Sequence, residues 1–326
     1  MVSFAALISL ITVIRMGCRS SKVAPTPNVR SDTSTFDIAR FQYAKPTRRD
    51  MAVCFVYFNT ARSKRILMNY LYVTNKLRGA SIPYFTLELV FDKPDIQEAF
   101  HLQGASPMFH KEHLCSLLEQ KVPWQYKKLL FLDADVVFDT PTWYDNVSAL
   151  LNSHQVVQPF SSANWLDLSY TKILDKKQSA LFMDRTKPFD HAFHPGFGWA
   201  FQRRWFRDVG FFPYAITGCG DTLSVAAWLN VPFKEGYLQQ AYAAAYAEYK
   251  VRAHPTITFC EGAVYHLWHG NGTNRQWRER HTILDGIPDV RSALIIKKRT
   301  ALHLKDEVIA KKFSDYFEKR VDDSTE

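Results

Sequence analysis

From residue 51 onward, unbroken apolar runs alternate with segments at helical spacing, and that alternation restricts the possible folds more than any single residue does. The runs 51–58 (MAVCFVYF), 84–91 (YFTLELVF) and 128–132 (KLLFL) are apolar at consecutive positions, as in strands covered on both faces. Segments 63–77, 110–120 and 141–151 are expected as helices, the last with Thr140 as its cap, and QVVQP at 155–159 reads as a further short strand. Strands separated by helices of this length predict an α/β fold with a mainly parallel central sheet flanked by helices. Ligands of such sheets bind beyond the carboxyl ends of the strands. The polar clusters that begin at Asn59, at Asp92 and at the pair Asp133/Asp135 all fall there.

The second half is less regular. Glycine and aromatic residues crowd 194–221, helices are expected over 221–229, 238–250, from about Asn274 and over 305–319, and a strand over 263–268. No internal repeat is visible. The reading is therefore one domain over 51–326, divided into a regular first half (51–160), a less regular second half (161–290) and a C-terminal helical tail (291–326).

Residues 1–50 read as a hydrophobic leader and a polar linker. The apolar stretch 4–14 stops at Arg15, short of the roughly twenty residues that span a bilayer. No basic segment precedes it, as one would in a signal peptide. Residues 19–50 turn to Ser, Thr, Pro and Arg, a linker composition. A cytoplasmic chain is expected, with weak membrane association through 4–14 as the alternative. The 5 cysteines include no CxxC, so neither a disulfide framework nor a structural zinc site is indicated, and a reducing compartment fits. A net charge of +9 favours an anionic partner. Nucleic acid, an anionic membrane surface and a nucleotide diphosphate are all candidates on charge, and because the basic residues are spread along the chain charge alone does not choose among them; no nucleic-acid partner is expected on the reading as a whole.

The chemistry concentrates in three places. In FLDADVVF, Asp133 and Asp135 follow a buried strand, where both carboxylates can turn toward one point and share Mn²⁺ or Mg²⁺ with substrate phosphates. A phosphatase of the haloacid dehalogenase type also puts two aspartates after a strand, but after the first strand and before a Gly-Thr turn. Here the pair follows the third strand and runs into Val136-Val137. The second place is HPGFGWAFQRRWFRDVGFF with Gly218-Cys219-Gly220-Asp221. Gly196 and Gly198 allow close backbone approach, and Asp221 would open a helix whose dipole favours its charged form. The third is YHLWHG, where His266 and His269 are candidates to complete a metal site. Residues three apart in a strand face opposite sides, so one of the two imidazoles is expected to reach the metal. Arg275 and Arg280 are candidates for a diphosphate.

Taken together, VYFNTARSKRILMNY, the Leu-Glu-Leu of FTLELVF, MFHKEHL, FLDADVVFDTPTWYD, VVQPFSS, HPGFGWAF, the Gly-x-Gly-Asp and YHLWHG with NRQW resemble a family of DxD-containing glycosyltransferases of the GT-A fold found in bacteria, phages and large DNA viruses. One departure is His110, where the family pattern has Gln before the Lys-Glu pair. The resemblance implies a GT-A, Rossmann-like sheet with a C-terminal acceptor-side portion, a nucleotide-binding half over 51–160, a donor-sugar and acceptor half over 161–290, and a nucleotide-sugar donor, UDP favoured. It implies Tyr57, Asn59 and Arg65 near the nucleotide, Lys111 near the phosphates, Gly196 near the donor sugar, and Asp221 as the base that deprotonates the acceptor hydroxyl of a glycan, glycoprotein or glycolipid. Two other classes compete. A nucleotidyltransferase usually opens with a glycine-rich loop after its first strand, where this chain has Asn59-Thr60-Ala61-Arg62-Ser63. A catalytically silent glycan-binding protein on the same fold would need no metal.

Overall fold

The computed structural model describes residues 37–270, 279–320 and 323. The first half runs β1 (Met51–Tyr57), α1 (Lys64–Gly79), β2 (Tyr84–Val90), β3 (Phe100–Gln103), α2 (Lys111–Glu119), β4 (Lys128–Leu132), β5 (Val136–Phe138), α3 (Trp143–Leu150) and β6 (Val156–Gln158). The second half contributes β7 (Ser162–Leu166), β8 (Ile173–Ser179), β9 (Phe193–His194), β10 (Gly198–Gln202), α4 (Arg203–Asp208), α5 (Gly220–Leu229) and α6 (Gln240–Lys250). It closes with β11 (Ile257–Phe259), β12 (Ala263–His266), β13 (Leu294–Ile295), β14 (His303–Leu304) and α7 (Glu307–Lys319).

Seven of these strands form one sheet in the order β11-β6-β10-β4-β1-β2-β3. β1 pairs in parallel with both β2 and β4, while β10 runs antiparallel between β4 and β6. The sheet is mainly parallel and flanked by helices, as the apolar runs require. Along β1, Met51, Val53, Phe55 and Tyr57 enter one core with Trp143 and Tyr144 of α3. Ala52 and Cys54 enter the other, with Leu114 of α2, Leu223 of α5 and Tyr242 of α6. Helices on both faces explain why this strand shows no polar alternation.

A second sheet, β5-β12-β7-β8-β9, leans on the carboxyl end of the first. Its pairing was not legible beforehand, since β8 (ILDKKQS) is largely exposed and β5 and β9 span three and two residues. It matters because β12 pairs with β5 and so carries His266 to the segment that follows Asp135.

Two local expectations change. α3 opens at Trp143 with Thr142 at its cap position and no side-chain cap; the Thr140 hydroxyl donates to Asp139 Oδ1 instead, at 2.9 Å. Residues 37–50 are no linker. Asp37 caps a short 3₁₀ turn by accepting from Ala39 N at 2.8 Å, and the Phe41 ring lies 5.0 Å from that of Tyr265. The Tyr43 ring packs on Trp143, with its hydroxyl accepting from Phe138 N at 3.1 Å. Asp145 accepts from the backbone of Thr47 and Arg48, and Asp50 meets the buried Lys128 ammonium at 2.6 Å. Tyr43, Thr47, Arg48 and Asp50 thus bond to residues 78 or more positions away, which composition alone does not show. The helix expected from Asn274 lies outside the described residues; the chain resumes as a 3₁₀ turn at Glu279–Leu284.

A chain that begins at residue 51 should therefore melt about 5 °C or more below one that begins at residue 37, since it loses the Tyr43 packing and the partner of Lys128. Equal calorimetric midpoints would show that 37–50 contributes nothing to stability.

Candidate active site

The two aspartates after β4 are fixed by their backbone. Asp133 N donates to Phe197 O at 2.8 Å, and Leu267 N donates to Asp135 O at 2.7 Å. One flank is thus the turn before β10 and the other the segment leaving β12. Asp135 Oδ2 lies 3.4 Å from His266 Nε2 and 3.1 Å from His269 Nε2. One ligand atom from each of these three residues falls within 4.8 Å of the other two. Both imidazoles arrive, contrary to the expectation of one, because β12 ends at His266 and strand alternation no longer governs His269.

Burial alone would push the Asp135 carboxyl up; the two histidines outweigh it and hold the group well below the usual carboxylate range. Its other oxygen, Oδ1, is buried without a hydrogen-bond partner. A buried carboxylate oxygen is seldom left so. A carboxylate, two imidazoles and an orphaned anionic oxygen together fit a divalent cation. The nitrogen ligands suit Mn²⁺ better than Mg²⁺, which prefers an all-oxygen shell. Phe197, stacked on His266 at 4.9 Å and 10°, holds that ring in place.

Asp133 has a different environment. Its Oδ1 meets Lys111 Nζ at 2.5 Å, so the acidic pair divides: Asp135 to the histidines, Asp133 to an ammonium. Burial works against charge on Lys111, yet Asp133, Asp221 and Glu112 outweigh it and keep the ammonium above the ordinary lysine range. Glu112, the next residue of α2, is pushed up to about 7 by burial and the nearby Asp221, with Lys111 opposing.

Asp221 sits in the first turn of α5, and its Oδ1 accepts from Thr222 N at 2.7 Å. The turn into α5 passes through two left-handed residues, Gly218 (φ +89°) and Cys219 (φ +62°). Gly196 is required on the opposite side: a methyl there would lie 2.7 Å from Asp221 Oδ2 and 3.2 Å from His194 Nε2. At Gly220 a methyl would overlap the Glu112 carboxyl. His194 Nε2 is buried without a partner, and burial, with His266, Lys177 and Lys111 adding to it, holds that imidazole well below its ordinary value.

These groups open on one cleft of about 460 Å³. Of the residues expected from sequence, Asn59, Lys111, Asp133, Asp135, Gly196, Asp221, His266 and His269 line it. Asn59 does so while tied up: its amide donates to Tyr57 Oη, Ser63 O and Asp95 Oδ2, and its oxygen accepts from Ser63 N at 2.8 Å. Tyr57 is not in the cleft. It faces the opposite side of the sheet from Val56 and Phe58, which are, and its hydroxyl donates to Asp95 at 2.9 Å. Arg65 is not there either; its guanidinium lies over the rings of Tyr170 (5.7 Å) and Trp268 (5.5 Å). Arg275 lies outside the described residues. Arg280 lines the cleft, its guanidinium over the Phe109 ring at 4.6 Å and packed under Gly218.

Among the lining residues to which the sequence assigns no role are Glu112, Trp165, Lys177 and His194. Glu112 could have been found beside Lys111, and His194 at the head of HPGFG. Trp165 and Lys177 lie on β7 and β8 of the second sheet and carried no signal.

No protein-family model matches this chain, and no curated protein does. Solved structures do. Drosophila β1,4-galactosyltransferase 7, as a point mutant in complex with manganese, UDP-Gal and xylobiose, is 11% identical, covering 82% of this chain and 99% of that one, with a TM-score of 0.39. Mycobacterium tuberculosis glucosyl-3-phosphoglycerate synthase, in complex with Mn²⁺, UDP-glucose and phosphoglyceric acid, is 13% identical over 78% and 86%, with a TM-score of 0.37. The 4-diphosphocytidyl-2C-methyl-D-erythritol synthase of Anaerococcus prevotii is 10% identical over 66% and 89%, with a TM-score of 0.33. At such identities the site's chemistry has to rest on its own geometry.

The Glu112 shift makes a prediction. A carboxyl whose folded pKa is raised loses stability as pH climbs from its unfolded value to its folded one, and the loss is complete above about 7. Glu112→Gln should match the native chain near pH 4 and exceed it progressively up to pH 7, by at most about 3 kcal/mol above that. Denaturant melts at several pH values measure this, and a gap independent of pH would refute it.

Proposed function

We propose that this chain is a metal-dependent glycosyltransferase of GT-A type, moving a sugar from a nucleotide-diphosphate sugar, UDP favoured, to a hydroxyl acceptor on a glycan, glycoprotein or glycolipid. The observation that carries the reading is the set Asp135, His266 and His269, with its orphaned carboxylate oxygen, opening on the same cleft as the Asp221 carboxylate. Asp135, His266 and His269 would hold Mn²⁺, which when bound offsets the charge gathering on a departing diphosphate.

The remaining roles follow from position. Lys111, kept charged by three carboxylates, offers its ammonium to the phosphates. Asp133 aims that ammonium through their 2.5 Å contact. Gly196, having no side chain, lets the backbone before β10 approach Asp221 and His194 closely, on the side where the donor sugar would lie. Asp221 accepts the proton of the acceptor hydroxyl as its oxygen bonds to the anomeric carbon and the bond from that carbon to the diphosphate breaks. Displacement by that hydroxyl in one step inverts the configuration at the anomeric carbon. His194, kept neutral by burial, lies against Asp221 and Gly196 as a wall of the sugar site.

Asp135→Asn and His269→Ala should each lower Mn²⁺-dependent transfer by at least about a hundredfold. Asp221→Asn should lower kcat by about 10²–10⁴ while leaving Mn²⁺ and UDP binding intact. A panel of nucleotide-sugars, with Mn²⁺ and with EDTA, reads both. Full activity in Asp135→Asn would sink the assignment, and turnover undiminished by EDTA would remove the metal from it.

A further inference from the structure

β13 and β14 form a hairpin paired Leu294↔Leu304 and Ile295↔His303. Its base is anchored in the core, since Leu294, Ala301 and Leu302 are essentially inaccessible. Two bonds tie it to the region around α2: Thr300 O to His113 Nε2 at 2.8 Å, and Leu304 N to Ser106 Oγ at 3.1 Å. The tip is unlike the base. Ile295, Ile296, Lys297, Lys298 and Arg299 are five consecutive exposed residues, with Ile296 45% accessible. Arg299 takes a left-handed conformation (φ +63°) that turns the chain back. Val308, 67% accessible, adds an aliphatic group in the first turn of α7, which follows directly.

Lys297, Lys298 and Arg299 enter no ion pair among the described residues, whereas their neighbour Arg291 is paired with both Asp289 and Glu248. Three exposed cations without an ion-pair partner therefore stand beside two exposed isoleucines on one hairpin tip. A single exposed aliphatic residue is ordinary on a protein surface, but two in a row against three cations match a boundary that is anionic outside and apolar beneath. A nucleic acid would satisfy the cations and leave the isoleucines wet. We propose that the 295–299 hairpin tip docks this protein on an anionic lipid surface, with the isoleucines entering the headgroup boundary and the three cations meeting acidic headgroups. Because the hairpin is bonded to the helix that carries Lys111 and Glu112, such a surface would stand at a fixed position relative to the cleft. The inference rests on the hairpin alone and is independent of the reaction proposed above.

The test is co-sedimentation of the full chain with vesicles of phosphatidylcholine alone and of phosphatidylcholine with phosphatidylserine, at low and high salt. Binding to the mixed vesicles, weakened by salt, is expected. Replacing the cations together (Lys297→Gln, Lys298→Gln and Arg299→Asn, the last retaining left-handed tolerance) should weaken it on the order of a hundredfold. Ile295→Ser with Ile296→Ser should weaken it several-fold and leave its salt dependence unchanged, which separates insertion from simple charge attraction. Failure of the full chain to bind, equal binding to both vesicles, undiminished binding by the cation variant, or retention on duplex DNA without vesicle binding would each overturn the proposal.

Discussion

Everything in the site depends on how the backbone of residues 133–135 is held. β4 is central in the large sheet, parallel to β1 on one edge and antiparallel to β10 on the other. Because β10 runs backwards, its incoming turn arrives at the carboxyl end of β4 and delivers Phe197 O to Asp133 N. Because β12 pairs with β5, the segment that leaves it delivers Leu267 N to Asp135 O. Two chain segments some seventy residues apart are therefore sewn to adjacent positions of one loop, and each brings side chains with it. Gly196, Phe197 and His194 come with the first, and His266 and His269 with the second.

That arrangement sorts the charges. A carboxylate buried alone would give up its ionised form. Asp135 keeps it because two imidazoles face it, whereas burial and the neighbouring Asp135 hold the Asp133 carboxyl above its ordinary value even with Lys111 in contact. Lys111 is shared among Asp133, Asp221 and Glu112. The cleft thus has a nitrogen-rich anionic corner that suits a cation, and beside it an ammonium that suits a phosphate. The acidic pair looks symmetrical in sequence and is not so in space.

What sequence could show follows from burial. β1, β2 and β4 were legible because helices cover both faces, leaving long apolar runs whose carboxyl ends located the cleft before any motif was considered. Asp221 was expected to open a helix over 221–229, and α5 begins one residue earlier, at Gly220. Tyr57 does not line the cleft because side chains alternate along a strand, and Val56 and Phe58 take the cleft face. Arg65, expected near the nucleotide, instead lies over Tyr170 and Trp268, partners too distant in sequence to be foreseen. The second sheet stayed hidden because its strands are short or exposed, and with it Trp165 and Lys177. Residues 37–50 looked like linker since their attachment depends on a few aromatic rings and on partners about a hundred positions away.

The central claim is that Asp135, His266 and His269 form one metal site. Pulsed electron paramagnetic resonance of the chain with one equivalent of Mn²⁺ tests it directly, because imidazole nitrogens bound to the ion modulate the echo. Two equivalent nitrogen couplings are predicted, one disappearing in His266→Ala and the other in His269→Ala. A bound Mn²⁺ without nitrogen coupling, held by carboxylates alone, would contradict the site described above.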